Sequence, residues 1–326
     1  YWRVVEDFAI RGNYAEGFRA PNIGELFNSG SRFDSNINDP CSNYTVNAPP
    51  AVQANCIALG VPASFVQINQ QISVQTGGNE ALRPEKSKTY TVGFSYEPAW
   101  ASNGSWLDQL SFDVNYYNVK LEDAIQALSA QIQLTNCVST LSPLFCSGIV
   151  RGPGGSITAF ANQLTNIGRI ETDGFDWTVV LATPELRIGS LRFTWSNTYL
   201  NSYEEFTLGL NGLVGTQRAG IEVGSPTRGF VRYKSTLAVD WALRDFVTSL
   251  TLRYLSALTE TCPGALVDAD LQNLCSDPVR LENEMKHKVF TDLQLSWMPN
   301  ALGGQLQLAL GVNNLFNEDP PPCLSC

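Results

Sequence analysis

Over residues 231–243 the chain sets Val231, Tyr233, Leu237, Val239, Trp241 and Leu243 at one parity and Arg232, Lys234, Thr236 and Asp240 at the other. A period of two belongs to an extended strand, whose successive side chains point to opposite faces. One face is aliphatic and aromatic and the other is charged, so the segment predicts a wall between an apolar medium and water. That pattern constrains the fold more than any motif does, because it repeats along the whole chain.

The alternation recurs at residues 7–18, with Phe8, Ile10 and Tyr14 on the apolar side, and at 88–97, with Tyr90, Val92, Phe94 and Tyr96. It returns at 110–127 through Leu110, Phe112, Val114 and Tyr116, then through Phe175, Trp177, Val179 and Leu181, and again through Leu191, Phe193, Trp195 and Tyr199. After 231–243 come Phe246, Leu250, Leu252 and Tyr254, then Val289, Leu293, Leu295 and Trp297, and last Leu306, Leu308, Leu310 and Val312. These make about nine strands by pattern. The connections alternate in length: 20–87, 128–164, 208–227 and 261–284 are long, whereas 98–109, 183–185, 244–245 and 299–304 are short.

The expected fold is therefore all-β, an antiparallel transmembrane β-barrel fragment with long extracellular loops and short periplasmic turns. Trp100, Trp106, Trp241 and Trp297 fall near the short-turn end, where an aromatic girdle is expected at a membrane interface. An odd strand set with two open edges leaves backbone groups unpaired in lipid, so the remainder of the barrel is expected outside residues 1–326. Residue 1 is not Met and no charged-then-apolar leader follows it, which reads as a start inside a longer chain.

Apolar residues make up 44% of the sequence, yet no run approaches the ~20 apolar residues of a membrane helix, which argues against crossing by helices. The formal net charge is −10 with no offsetting basic run, which argues against a nucleic-acid partner. The cysteines fall in the long connections as Cys41 and Cys56, Cys137 and Cys146, Cys262 and Cys275, and Cys323 and Cys326. Disulfides within each loop are expected, formed in an oxidising compartment. Zinc at Cys323 and Cys326 is the alternative there, but no second Cys-x-x-Cys exists to complete a four-ligand site.

Four passages carry a family resemblance. Residues 10–27 read Ile-Arg-Gly-Asn-Tyr-Ala-Glu-Gly-Phe-Arg-Ala-Pro-Asn-Ile-Gly-Glu-Leu-Phe, and 82–87 read Leu-Arg-Pro-Glu-Lys-Ser. Asn-Ile-Gly at 166–168 with Asp-Gly-Phe-Asp at 173–176 forms the third, and Gly-Val-Asn-Asn-Leu-Phe-Asn at 311–317 the fourth. In this order they resemble TonB-dependent outer-membrane receptors. The resemblance implies a barrel of about 22 strands with a plugged lumen, of which residues 1–326 are a partial barrel domain without the plug, the first strands and the last strand. It implies a transporter that binds a scarce nutrient (an iron chelate, cobalamin or an oligosaccharide) at its extracellular loops and imports it with TonB-supplied energy. TonB, outer-membrane lipid and the nutrient are the partners so implied. A passive selective porin and an adhesion barrel without transport are the rival readings.

No nucleophile, base and orienter come together, so no enzyme and no cofactor are expected. The Gly-rich run from Arg151 to Gly155 lacks the Lys-Ser/Thr of a phosphate cradle and reads as a loop tip. His287 beside Glu282 and Glu284 fits a solvated charged rim better than a metal site, because alternation sends neighbours to opposite faces. Arg11, Asp113, Asp176, Arg192, Arg232, Lys234, Asp240, Arg253 and Asp292 form the candidate plug-facing wall. Phe33, Tyr44, Phe145, Arg151 and Tyr203 are the candidate ligand-facing loop residues, with Phe65, Phe160 and Phe206 as further loop aromatics.

Overall fold

A computed structural model describes residues 1–102, 106–209, 212–224, 227–261, 276–277, 282–301, 304–321 and 323. One antiparallel sheet holds the wall, in the order β1 (Trp2–Val5), β2 (Phe8–Arg19), β3 (Glu85–Tyr96), β4 (Gln109–Gln126), β5 (Thr165–Ala182), β6 (Ser190–Gly209), β7 (Tyr233–Leu243), β8 (Phe246–Leu255), β9 (Lys288–Trp297) and β10 (Leu308–Val312). An eleventh strand, Gly212–Gln217, folds back on the far end of β6. Strand order follows chain order throughout, as short turns and antiparallel pairing require. Among the described residues β1 and β10 do not pair with each other, so the sheet is an unclosed arc. No helix among the described residues is long and apolar enough to cross a membrane.

Nine strands expected from the pattern correspond to β2 through β10. The edge strand β1 was not expected, because its four residues, Trp-Arg-Val-Val, are too few to display a period. Val231 and Arg232 precede β7, although the Arg232 carbonyl still accepts the Leu200 amide at 2.8 Å and holds the chain beside β6.

Register carries the two faces across the sheet. Phe94 opposes Ile10 and Val114, Val114 opposes Trp177, and Tyr199 lies between Phe175 and Tyr233. A second row runs from Leu110 through Leu181, Phe193, Val239, Leu250 and Leu293 to Val312. Asn197, opposite Trp177 in the first row, is a polar residue beside rings, and its Oδ1 accepts the Tyr233 hydroxyl at 2.7 Å while the Trp177 ring stacks on Tyr233. The aromatic neighbour thus supplies the partner that a lipid or an apolar core could not.

The opposite face is joined by ionic hydrogen bonds. Arg11 Nε donates to Asn115 Oδ1 and Nη1 to Asp113 Oδ2, each at 2.8 Å, reaching over Gly93 on the strand between them. A Cβ at Gly93 would overlap the Val114 carbonyl and Asn115 Oδ1, so this crossing needs glycine. Gly93→Ala is expected to destabilise the wall by about 1–3 kcal/mol. A lowered temperature for loss of the compact, fast-migrating band of the whole protein on a gel checks this; an unchanged temperature contradicts it.

Candidate functional site at the long-loop rim

Among the described residues a hydrophobic core lies in the loops. Ile37, Val74, Leu134, Val138 and Phe160 are almost fully buried together, drawn from the first and second long connections. Two hairpins, Ser31–Asn36 with Gln71–Thr76 and Ile149–Arg151 with Ile157–Phe160, frame this core. The helices α1 (Ile23–Phe27), α2 (Pro50–Ala58) and α3 (Ala130–Thr140) accompany them, with single helical turns at Tyr44–Asn47 and Pro143–Cys146. Proline at the first position of α2 brings no N–H that would need a partner there, and Leu141 closes α3 in a left-handed turn.

The two loops are joined to each other as one body. Asn38 N–H donates to Gln131 Oε1 at 2.7 Å while Gln131 Nε2 returns a bond to the Asn38 carbonyl at 2.9 Å. Asn55 Nδ2 donates to the Val138 carbonyl at 2.8 Å, and the Asn162 amide to the Gln75 carbonyl at 2.8 Å. Arg151 of the second loop grips Asp39 of the first at 2.6 and 2.9 Å, with side chains only 7% and 1% exposed. Asp39 also accepts the Cys41 amide at 2.9 Å, and Arg151 donates to the Gly155 carbonyl at 2.8 Å. Disulfides Cys41–Cys56 and Cys137–Cys146 brace each loop internally. Cys323 is disulfide-bonded, and Cys262, Cys275 and Cys326 lie outside the described residues.

Below this body, three of the four sequence passages meet in one hydrogen-bond network. Arg19 at the end of β2 donates to Glu85 Oε2 at 2.6 Å and to both Glu25 oxygens at 2.9 and 3.0 Å. Glu25 and Asn22 form a capping box at α1. Glu85 Oε1 accepts the Ile125 amide at 2.8 Å, and Asn166 exchanges two 2.8 Å bonds with the Arg83 backbone. The fourth passage is tied elsewhere: the Asn314 amide donates to Asp292 Oδ1 at 2.8 Å, and Asp292 accepts Arg253 at 2.8 and 3.1 Å.

Arg19, and to a smaller extent the Asn22 amide, hold the Glu25 carboxyl below its usual range. A depressed folded-state value stabilises above the unfolded carboxylate value of roughly 4.3 and is lost as pH falls through the folded value. Hydrogen-exchange protection of residues 22–28 is therefore expected to drop as pH falls from about 5 toward 3, and Glu25→Gln should remove that pH dependence. Protection that stays flat in the unmodified protein contradicts this.

Most candidate loop residues serve the loop interior. Tyr44 is buried and donates its hydroxyl to the Val61 carbonyl at 3.1 Å, while Phe145, Phe65 and Phe160 are also buried. Tyr203 packs on Phe230 with ring centroids 4.3 Å apart, and the Arg169 guanidinium covers Phe206 at 3.9 Å. Phe33 is the one of the five named candidates that stays exposed, at 42%. The His287 ring stacks against Tyr254.

The candidate wall residues share the face opposite the aromatic rows. Arg192 sits directly across from Asp240, whose Oδ1 accepts Ser249 at 2.5 Å, and Lys234 sits across from Thr198, which donates to Asp176 at 2.7 Å. Arg232 instead donates to the Asn201 and Ala219 carbonyls, each at 3.0 Å, and so anchors a long loop.

Between the first and second loops opens a cavity of about 710 Å³. The turn at Gly155, with φ +86°, seats against the Phe65 ring and Pro62 beside it, a backbone conformation and a contact that a side chain there would strain. No signal in the sequence marked this cavity, because its walls come from segments that are far apart in the chain.

Residues 1–315 match the family of TonB-dependent receptor-like β-barrels. Among solved structures, a mutant ferric enterobactin receptor from Pseudomonas aeruginosa in complex with enterobactin aligns with 97% of this chain and 34% of its own, at 14% identity and TM-score 0.55. The siderophore receptor PirA from Acinetobacter baumannii aligns over 97% of this chain and 36% of its own, at 14% identity and TM-score 0.55. The FrpB iron transporter from Neisseria meningitidis aligns over 98% and 34%, at 13% identity and TM-score 0.52. At these identities the likeness is one of fold, and the chain spans about a third of the length of each structure. No curated protein sequence matches the chain.

Proposed function

Because the chain belongs to the TonB-dependent receptor-like β-barrel family, we propose that it is part of an outer-membrane receptor that captures a scarce nutrient at its long loops and imports it with energy passed through TonB. The observation that carries this reading is a two-faced wall crowned at one rim by a cored, disulfide-braced loop body. An aromatic and aliphatic face that continues from β2 to β10 suits lipid, and the facing Arg, Asp, Ser and Thr suit a plug or water. At the short-turn end the Phe246 and Trp297 rings stack, beside Trp241, which suits a membrane interface. With the long loops outside the cell, the disulfides lie in an oxidising environment.

The Arg11–Asp113 and Arg253–Asp292 pairs give an N-terminal plug a lattice of donors and acceptors to pack against. Iron chelates are supported as cargo by the siderophore and iron receptors that share the fold, with cobalamin and oligosaccharides as the family's other cargo. Nothing in capture, plug movement and release calls for covalent chemistry.

Two measurements test the reading. In cells carrying the whole protein, removal of TonB should abolish uptake of the nutrient while surface binding persists. Uptake that continues unchanged identifies a passive porin, and binding without uptake in cells that have TonB identifies an adhesion barrel; either overturns the proposal. Leu250→Arg, in the middle of β8, should cost about 2–4 kcal/mol, whereas Trp297→Arg near the short turns should cost about 0–1. Equal costs at the two depths contradict a lipid-facing wall.

A further inference from the structure

The cavity between the first and second loops is explained neither by the wall nor by the network at its rim. Its volume of about 710 Å³ lies within the ~300–1,000 Å³ of small-molecule sites. Among its described lining residues Asp39 is the sole ionisable side chain, and Arg151 neutralises it through two bonds. The remaining polar lining is hydroxyl and amide, including Ser64, Gln71 and Ser156. Gln67 spends its amide on the loop backbone, accepting from Asp39 N–H at 2.8 Å and donating to the Ile37 and Asn69 carbonyls at 2.9 and 3.0 Å. That fixes the wall of the cavity before any ligand arrives.

Its lip is aliphatic. Val66 is 51% exposed and Ile68 99% exposed, so an isoleucine stands fully in water beside a preformed cavity. An apolar ligand surface laid on Ile68 would remove that exposure. An anion entering the same space loses its water and finds no cation among the described lining residues to replace it, against the negative field of a chain with net charge −10.

We propose that this cavity is a binding site for an uncharged ligand that carries an apolar surface and peripheral hydroxyl or amide groups, and that it rejects polyanionic ligands. The inference rests on the receptor reading for the fate of the bound ligand, and on the cavity alone for binding. Selectivity arises from the absence of an available positive charge, so it is a difference in desolvation cost between ligands of similar size.

The test uses two iron complexes of different charge, an uncharged ferric trihydroxamate and a triply anionic ferric tris-catecholate, titrated calorimetrically onto the whole protein. Two variants accompany it: Ser156→Trp, whose indole occupies the cavity, and Gln71→Lys, which adds a cation to the lining. The uncharged complex should bind about tenfold or more tighter than the trianionic one, and Ser156→Trp should weaken it by about tenfold or more. Gln71→Lys should narrow the preference by about threefold. Three results overturn the proposal: equal or tighter binding of the trianionic complex, no binding of the uncharged complex, or binding that Ser156→Trp leaves unchanged. TonB-dependent uptake of either complex that survives Ser156→Trp would remove the cavity site and leave the receptor reading intact. An unaltered protease-cleavage pattern of each variant shows that its loop body still folds.

Discussion

Arg151→Ala in the whole protein is expected to destabilise the loop body by about 3–5 kcal/mol while the wall stays folded. The reason is the position of its partner. Asp39 is 1% exposed at its side chain and accepts both guanidinium bonds, so truncating Arg151 leaves a carboxylate buried with the Cys41 amide as its remaining partner among the described residues. Removing one member of a buried pair costs far more than removing both, because the surviving charge is the expensive part. Asp39→Leu combined with Arg151→Met should therefore recover most of the loss. Proteolysis of the native protein, with cleavage read between residues 31 and 76 and between 130 and 160, measures the opening free energy of the loops alone. Cleavage rates that match the unmodified protein would falsify the assignment of this pair as the main tie between the loops. Equal losses in the single and double variants would instead mean that packing around the guanidinium, not charge, sets the cost.

The wall was legible in the sequence and the loop body was not, and the difference is one of range. A strand in a two-faced sheet declares itself within about ten residues, because each side chain must suit the medium it faces. Asn197 is the informative exception, a polar residue on the apolar face whose partner Tyr233 comes from the neighbouring strand. Loop aromatics carry no such local signal. Whether Tyr44 or Phe33 meets a ligand depends on where the second loop lies, and that is decided by contacts such as Asn38 with Gln131 and Asp39 with Arg151, 93 and 112 residues apart. Arg151 illustrates the cost of reading locally: in a Gly-rich tip it looks like a free cation, and in the fold it is the buried neutraliser of Asp39. The four passages that carry the family resemblance were visible as strings. That Arg19, Glu85 and Asn166 bring three of them into one network required the register of β2 through β5.

Cys41→Ser with Cys56→Ser is expected to cost the loop body about 3 kcal/mol, because the bond closes a loop of 15 residues whose unfolded freedom it removes. The bond ties the last turn of α2 to the segment that carries Asp39, so its loss also loosens the floor of the cavity. Cys137→Ser with Cys146→Ser closes a shorter loop, with a separation of 9, and should cost somewhat less. Both bonds lie within one loop each, whereas the Asp39–Arg151 pair lies between loops. The two kinds of tie should therefore couple: in the reduced protein Arg151→Ala should cost less than in the oxidised one, since part of the structure that buries Asp39 has already been lost. Proteolysis with and without reductant, on the unmodified protein and on Arg151→Ala, completes the cycle. Additive losses would show that the disulfides and the ion pair brace separate units, and would remove the single loop body on which a preformed cavity depends. The Cys41–Cys56 and Cys137–Cys146 bonds lie in the loops, so the paired Ser variants should leave barrel migration on a gel unchanged.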